Sequence, residues 1–284
     1  MQVKKVLVPI DFSKRGDRAL EQANLLAQQW DADLTVLHAI NLRFLERVLI
    51  GDRRNQMVTD TKKQLEAHIQ GCDPRTESLV EIGNPSDAIM DTARLKEADL
   101  IVVGDHGEFH LKDVVLGTTA RHVIENARLP ILVVKTPEHK PYRRIFLATD
   151  FSDSSKKAIT LAMSLFAGAA FVIYHGYLIP SDRALTRYNL AGKEATHMLE
   201  EMHKEGQQKL DSFIADLPAC EKIEPMIQPS TSPSQDILTA AQSAKADLIV
   251  MGTKGMGSFM PLMVGSVADS LLRHAQIDML IYKN

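Results

Sequence analysis

The sequence has little cysteine and no long apolar run, and each shortage excludes a class of protein. Cys72 and Cys220 are the only cysteines in 284 residues. Neither belongs to a CxxC pair or to a pattern typical of a tetrahedral metal site, so we interpret both as free thiols and expect no metal centre. The N-terminal apolar run has only five residues, too short for a signal-peptide core, and no later segment reaches the length of a membrane span. We therefore expect a soluble cytoplasmic protein.

An excess of charge of one sign is also missing. The chain carries 33 basic and 36 acidic residues, for a net charge of −3. A protein that binds nucleic acid neutralises phosphates with clustered lysine and arginine, and such a field is absent here. We therefore expect no nucleic-acid partner.

The chain contains the same domain twice. The segment "KKVLVPIDFSKRGDRALEQANLLAQQWDADLTVLHAI" matches "RRIFLATDFSDSSKKAITLAMSLFAGAAFVIYHGYLI", which aligns Asp11 with Asp150 and His38 with His175. Further on, "ADLIVVGDHG" matches "ADLIVMGTKG" at an offset of 148, the offset that also relates Cys72 to Cys220. The polar segment 135–144, "KTPEHKPYRR", is typical of a linker. We therefore expect domains over 1–137 and 142–284.

Each copy alternates short apolar runs with amphipathic stretches. Five runs in the first copy are too short and too uniformly apolar for surface helices, and indicate strands buried on both faces: Val6–Ile10, Leu34–Ala39, Leu79–Ile82, Leu100–Val103 and Ile131–Val134. The stretches between them have apolar residues three and four apart. Each copy is therefore predicted to be a doubly wound α/β domain with a five-stranded parallel sheet.

A glycine-rich loop follows the fourth predicted strand of each copy. The first copy has Gly104, Gly107 and Gly117 followed by Thr118, and the second copy repeats the same spacing up to Ser266. A strand, a glycine loop and a helix together present backbone N–H groups at the positive end of a helix dipole, which favours phosphate oxygens. Ligands of such sheets bind beyond the carboxyl ends of the strands, where Asp11 and Asp150 also lie.

This glycine spacing, with "ADLIV" before it and Asp-Phe-Ser after the first strand, resembles the nucleotide-binding signature of the universal stress protein family over nearly the whole chain. The resemblance implies an adenine nucleotide alpha-hydrolase-like fold, two copies arranged as a pseudo-dimer with paired last strands, and ATP as ligand, with or without Mg²⁺. It implies these nucleotide-binding residues in the second copy: Asp150, Met251, Gly252, Lys254, Gly255, Gly265, Ser266 and Val267. A weaker or degenerate site is implied at Asp11, Gly104, Gly107, Gly117 and Thr118.

Several of these residues have a structural alternative. Ser266 and Thr118 stand where a hydroxyl caps a helix, and "SVAD" (266–269) is also a capping-box pattern, so for these two the structural interpretation is favoured. Asp11 and Asp150 either accept a hydrogen bond from adenine or ribose, or cap the following helix. We interpret His38 and His175 as packed, hydrogen-bonded residues.

The two loops differ in charge. The second copy has Lys254 among its glycines, whereas the first places Asp105 and Glu108 there, with His106 as its only candidate cation. Carboxylates repel phosphate, so ATP is expected mainly in the second copy.

No set of catalytic residues is legible, so we expect a stress-response protein with regulatory output and at most slow ATP hydrolysis. Two alternative functions stay open: a nucleotide hydrolase of the ATP pyrophosphatase type, of which "ATDFSDSSK" is a partial imitation, and a binding protein for a more apolar ligand. Assembly of tandem chains into a homodimer also stays open. Segments 41–58 and 182–206 are predicted as helices over the pocket mouth. Protein partners cannot be assigned from the sequence.

Overall fold

The structure, a computed structural model, describes residues 2–41, 52–105, 116–180, 193–252 and 265–283. Its internal contacts divide the chain into two units. The first unit contains Met1–Pro141 and the short segment Asp278–Ile281, and the second contains Tyr142–Ile277 and Tyr282–Asn284.

The first unit alternates strands and helices throughout. Its elements are β1 (Lys5–Pro9), α1 (Lys14–Trp30), β2 (Asp33–Ile40), α2 (Asp52–His68), β3 (Glu77–Ile82), α3 (Pro85–Leu95), β4 (Leu100–Gly104), α4 (Thr118–Asn126) and β5 (Ile131–Val134). The strands lie in the order β3-β2-β1-β4-β5 and every neighbouring pair is parallel. The order reverses between β1 and β4, as in a doubly wound sheet.

The second copy repeats this sequence of elements. They are β6 (Arg144–Ala148), α5 (Asp153–Leu165), β7 (Ala170–Leu178), α6 (Lys193–Ala215), β8 (Ile223–Ser230), α7 (Pro233–Ser243), β9 (Leu248–Gly252), α8 (Ser266–His274) and β10 (Asp278–Tyr282). Strands β9-β6-β7-β8 are neighbours in that order and are parallel. The predicted α/β fold with mostly parallel strands is therefore confirmed. Of the predicted helices after β2 and β7, residues 42–51 and 181–192 lie outside the described residues.

The inner strands β1, β4 and β5 are buried on both faces, as their apolar runs predicted. The prediction is wrong for Leu79–Ile82, because β3 lies at the edge of the sheet and none of its residues is fully buried. Val6, Leu7 and Val8 are consecutive in β1 and each is at most 1% exposed. Because successive strand residues point to opposite faces, their joint burial requires cover on both sides of the sheet. Each such side chain contributes roughly 1.5–3 kcal/mol of hydrophobic stabilisation, before the conformational entropy cost.

The last strand of the second copy belongs to the first unit. Met279, Leu280 and Ile281 of β10 pair antiparallel with β5, so the predicted pairing of the last strands is confirmed. Asp278 begins β10 and is buried, and its Oδ1 accepts hydrogen bonds from the Lys135 and Thr136 N–H groups and the Thr136 hydroxyl at 2.7–3.0 Å. A single carboxylate thus fixes the chain where β5 ends.

Candidate functional site

The Asp-Phe-Ser segment of the second copy is a tight turn between β6 and α5. Phe151 has φ of 65°, a left-handed conformation that is uncommon for a bulky residue. The Asp150 Oδ1 atom accepts hydrogen bonds from the Ser152 N–H at 3.1 Å and the Ser152 hydroxyl at 2.6 Å. Ser152 in turn caps α5, because its Oγ accepts from the Ser155 N–H at 3.2 Å. Ser152, and not Asp150, is therefore the helix cap.

The first copy builds the same turn. Phe12 has φ of 59°, and Asp11 Oδ1 accepts from the Ser13 N–H at 3.1 Å. Ser13 caps α1 by accepting from the Gly16 N–H at 3.1 Å. The interpretation of Asp11 and Asp150 as helix caps is wrong, since the serine two residues later has that role. Their contact with adenine or ribose stays a prediction.

The glycine that ends β4 or β9 packs directly on the first turn of the preceding helix. A Cβ on Gly252 would lie 2.9 Å from the Ser154 carbonyl carbon, and a Cβ on Gly104 would lie 2.9 Å from the Arg15 carbonyl oxygen. Both distances are shorter than a van der Waals contact allows. Close packing of strand against helix therefore explains these two glycines without any ligand, and it places the start of each glycine loop beside the Asp-Phe-Ser turn.

The other end of each loop leads into a helix without a side-chain cap. Gly265 and Gly117 are the N-cap residues of α8 and α4, and neither helix has a hydrogen bond from a capping side chain. Ser266 and Thr118 are the first helical residues and are exposed. The structural interpretation favoured for these two hydroxyls, as N-caps, is therefore wrong. The N–H groups of the first turns keep the positive helix end that suits an anion.

Of the other residues predicted to bind the nucleotide, the structure describes some and not others. Met251, in β9, is buried, and Val267, in α8, is half-buried. Lys254, Gly255 and Gly107 lie outside the described residues, as do His106 and Glu108. The structure brings the Asp150 turn and the start of the glycine loop to one edge, because β6 and β9 are paired in parallel.

The two copies differ in charge where the glycine loop begins. In the first copy, Asp105 follows β4 and its Oδ1 lies 3.6 Å from the Arg15 Nε, while its carbonyl accepts from the Gly117 N–H at 2.8 Å. Burial lowers the pKa of Lys135, and the Asp105 and Asp278 carboxylates oppose that shift. Asp105 therefore contacts the N-cap residue of α4 through its backbone carbonyl, and its carboxylate lies near the Arg15 guanidinium.

The histidines near the ends of β2 and β7 are packed and hydrogen-bonded, as interpreted from the sequence. The Nδ1 atoms of His38 and His175 lie 2.9 Å from the carbonyl oxygens of Ile10 and Thr149. Each ring packs on the phenylalanine of the turn, with centroid separations of 4.6 Å to Phe12 and 4.1 Å to Phe151. Burial lowers the pKa of His175.

Two buried hydroxyls of the second copy were not predicted. Ser154 Oγ and Tyr174 Oη have no hydrogen-bond partner among the residues that the structure describes. Burial and the Asp236 carboxylate raise the pKa of Tyr174 to about 12, so its phenol stays a neutral donor. The only sequence signal for Ser154 was its place in "DFSDSSK", and none existed for Tyr174.

Among the described residues, no three His, Cys, Asp or Glu side chains form a group that could hold a metal ion. No helix there has the length and apolar character needed to cross a membrane. Cys72 and Cys220 are free thiols.

Comparison with known families decides the relationship of the chain. The model that describes the universal stress protein family matches residues 2–135 and again residues 141–283. The chain belongs to the universal stress protein family. The tandem arrangement read from the repeat is thereby confirmed.

Individual relatives of the universal stress protein family agree with this assignment. Two universal stress proteins of Methanocaldococcus jannaschii are 31% identical over 48% of this chain and 25% identical over 46% of it, covering 84% and 94% of their own lengths. The crystal structure of a universal stress protein from Archaeoglobus fulgidus covers 100% of this chain and 99% of its own, with a TM-score of 0.67 and 20% identity. At that identity the likeness concerns the fold alone.

Proposed function

We propose that this tandem universal stress protein binds ATP, mainly in its second copy, and that its output is regulatory rather than catalytic. The observation that carries the proposal is the N-terminus of α8. Gly265 is the N-cap residue of this helix at the end of the glycine loop, and glycine has no side chain that could accept from the first N–H groups. By contrast, α5 of the same copy is capped by Ser152. An anion at α8 would satisfy donors that the chain leaves without a cap.

The position of this helix supports a nucleotide more than an isolated phosphate. Asp150 and the first residue of the glycine loop lie at neighbouring carboxyl ends of β6 and β9, where doubly wound sheets bind their ligands. A carboxylate acceptor at one side and an anion site at the other fit the hydroxyls of a ribose and its phosphates. Lys254, between the glycines, would add a positive charge.

The first copy is proposed to bind ATP poorly. Asp105 lies beside the N-terminus of α4, where its carbonyl accepts from the Gly117 N–H. Its carboxylate is only 18% exposed and is near the Arg15 guanidinium. A phosphate at this helix end would therefore meet a negative charge, and Arg15 already has a partner.

Calorimetric titration of the intact chain with ATP tests the proposal. We expect about one site per chain, abolished by Gly265→Asp and unaffected by the matched change Gly117→Asp. Gly265 and Gly117 have φ of −59° and −57°, so their backbone conformation does not require glycine, and Asp is a favoured N-cap. A loss of binding would then reflect repulsion of phosphate and not a damaged helix. Two equal sites, or loss through Gly117→Asp alone, would contradict the assignment to the second copy, and no binding at all would favour the apolar-ligand alternative.

A further inference from the structure

Ser154 has a hydroxyl that the described structure leaves unused. It is the second residue of α5 and is 7% exposed. Its Oγ finds no hydrogen-bond partner within the described parts of the chain. A buried hydroxyl without a partner is costly, because it loses its hydrogen bonds to water and gains none from the protein.

The unused hydroxyl lies at the start of the glycine loop. A Cβ on Gly252 would be 2.5 Å from Ser154 Oγ, so the hydroxyl touches the last residue of β9. The neighbouring hydroxyls are already used, since Ser155 Oγ lies 2.9 Å from Thr149 Oγ1 and donates to the Ser152 carbonyl at 2.9 Å. Within this serine cluster, the Ser154 hydroxyl is the donor that has no partner among the described residues.

The first copy has no counterpart of this donor. Alignment of the two Asp-Phe-Ser turns places Arg15 where the second copy has Ser154, and alignment of the loops places Asp105 where the second copy has Thr253. In the first copy these two residues form an ion pair of 3.6 Å. In the first copy, Arg15 and Asp105 thus compensate each other's charge. In the second copy, Ser154 at the first of these positions has a hydroxyl without a partner among the described residues.

We propose that the Ser154 hydroxyl donates a hydrogen bond to a phosphate oxygen of the nucleotide held at the glycine loop of the second copy. This inference rests on the proposed function. It explains the burial of an unpartnered donor next to Gly252, because a phosphate at the loop supplies the missing acceptor. A phosphate contact from Ser154 would occur in the second copy alone, so the two copies would differ in this contact as well as in the charges of their loops.

The test is calorimetric titration of the intact chain and of Ser154→Ala with ATP and with adenosine. We expect Ser154→Ala to raise the Kd for ATP roughly tenfold, the effect of losing one hydrogen bond to a charged group. The Kd for adenosine should stay within about twofold, because that ligand has no phosphate. Ser164→Ala is the matched control, since the Ser164 hydroxyl lies near the other end of α5 and donates to the Leu161 carbonyl. It should leave both constants unchanged.

Thermal unfolding without ligand adds a second readout. Ser154→Ala should melt no lower than the wild type, because its hydroxyl has no internal bond to lose. Unchanged ATP binding, an equal loss for ATP and adenosine, or a lower melting temperature of the free variant would each overturn the inference. If the wild type bound no ATP, the proposed function would fail and the inference with it. If the wild type bound ATP and Ser154→Ala bound it equally well, only the inference would fail.

Discussion

Removing the charge of Asp105 should open the first copy to ATP. The variant Asp105→Asn keeps the shape of the side chain and removes the carboxylate charge that lies beside the N-terminus of α4. Arg15, whose Nε lies 3.6 Å from Asp105 Oδ1, would then be available to a phosphate. Because the pair is partly exposed, the variant should lose no more than about 1 kcal/mol of unfolding free energy.

The expected gain in affinity follows from the charges. A carboxylate about 6 Å from one phosphate charge costs roughly 3 kcal/mol at an effective dielectric constant near 20, about a hundredfold in affinity. The Arg15 guanidinium offsets part of that repulsion in the wild type, and its side chain is 42% exposed, so solvent screens both terms. We expect an affinity gain of roughly ten- to a hundredfold at the first copy.

The assay is ATP calorimetry in a Gly265→Asp background, which silences the second copy. Gly265→Asp alone should show no binding, and Gly265→Asp with Asp105→Asn should show about one site per chain. Asp91→Asn is the control for net charge, because Asp91 is 63% exposed on α3 and pairs only locally with Arg94. If the double variant bound no ATP, or if Asp91→Asn had the same effect, the carboxylate of Asp105 would not be what closes the first copy.

Two further predictions concern stability. Asp278→Ala removes the acceptor of three hydrogen bonds at the end of β5, and should lower the free energy of unfolding in urea by about 2–4 kcal/mol. The control is Asp216→Ala, because Asp216 is 70% exposed and forms an ion pair with Lys156; a loss for Asp278→Ala no larger than that of the control would contradict the prediction. Burial lowers the pKa of His175 in the folded state below its usual value, so the unfolded chain binds the proton more readily and stability is lost as pH falls. The free energy of unfolding in urea should therefore decrease less between about pH 7.5 and about pH 5.5 in His175→Gln than in the wild type. Equal decreases would show that His175 does not cause the loss of stability in acid.

The sequence could predict the strands because each is defined by its own residues. The run "VLVP" in β1 is apolar at every position that both faces of a parallel sheet must cover. The Asp-Phe-Ser turn was also visible, since it appears twice at the same place in the repeat. What the turn does was harder to predict, because Asp and Ser are both favoured N-caps and only the backbone conformation of Phe12 and Phe151 decides between them.

The helix after each glycine loop was misread for a related reason. The pattern "SVAD" predicts a cap at Ser266, but the N-cap is one residue earlier, at Gly265. Because Ser266 is already helical, Asp269 does not complete a capping box and instead accepts a hydrogen bond from Arg273 on the next turn of α8. The local capping pattern therefore predicts the helix start one residue too late.

The asymmetry between the copies depends on pairs of residues that are distant in the sequence. Arg15 and Asp105 are separated by 90 positions, so each looks like an ordinary surface charge until the contact between α1 and the end of β4 brings them together. In the second copy the serine at the first of these positions leaves a buried hydroxyl in place of an ion pair. A burial penalty without internal compensation is expected where a ligand supplies the partner, since a site that satisfies itself gains less from binding. The residues at these two positions therefore have to be considered as a pair, and Asp105→Asn tests the contribution of the carboxylate while Arg15 is kept.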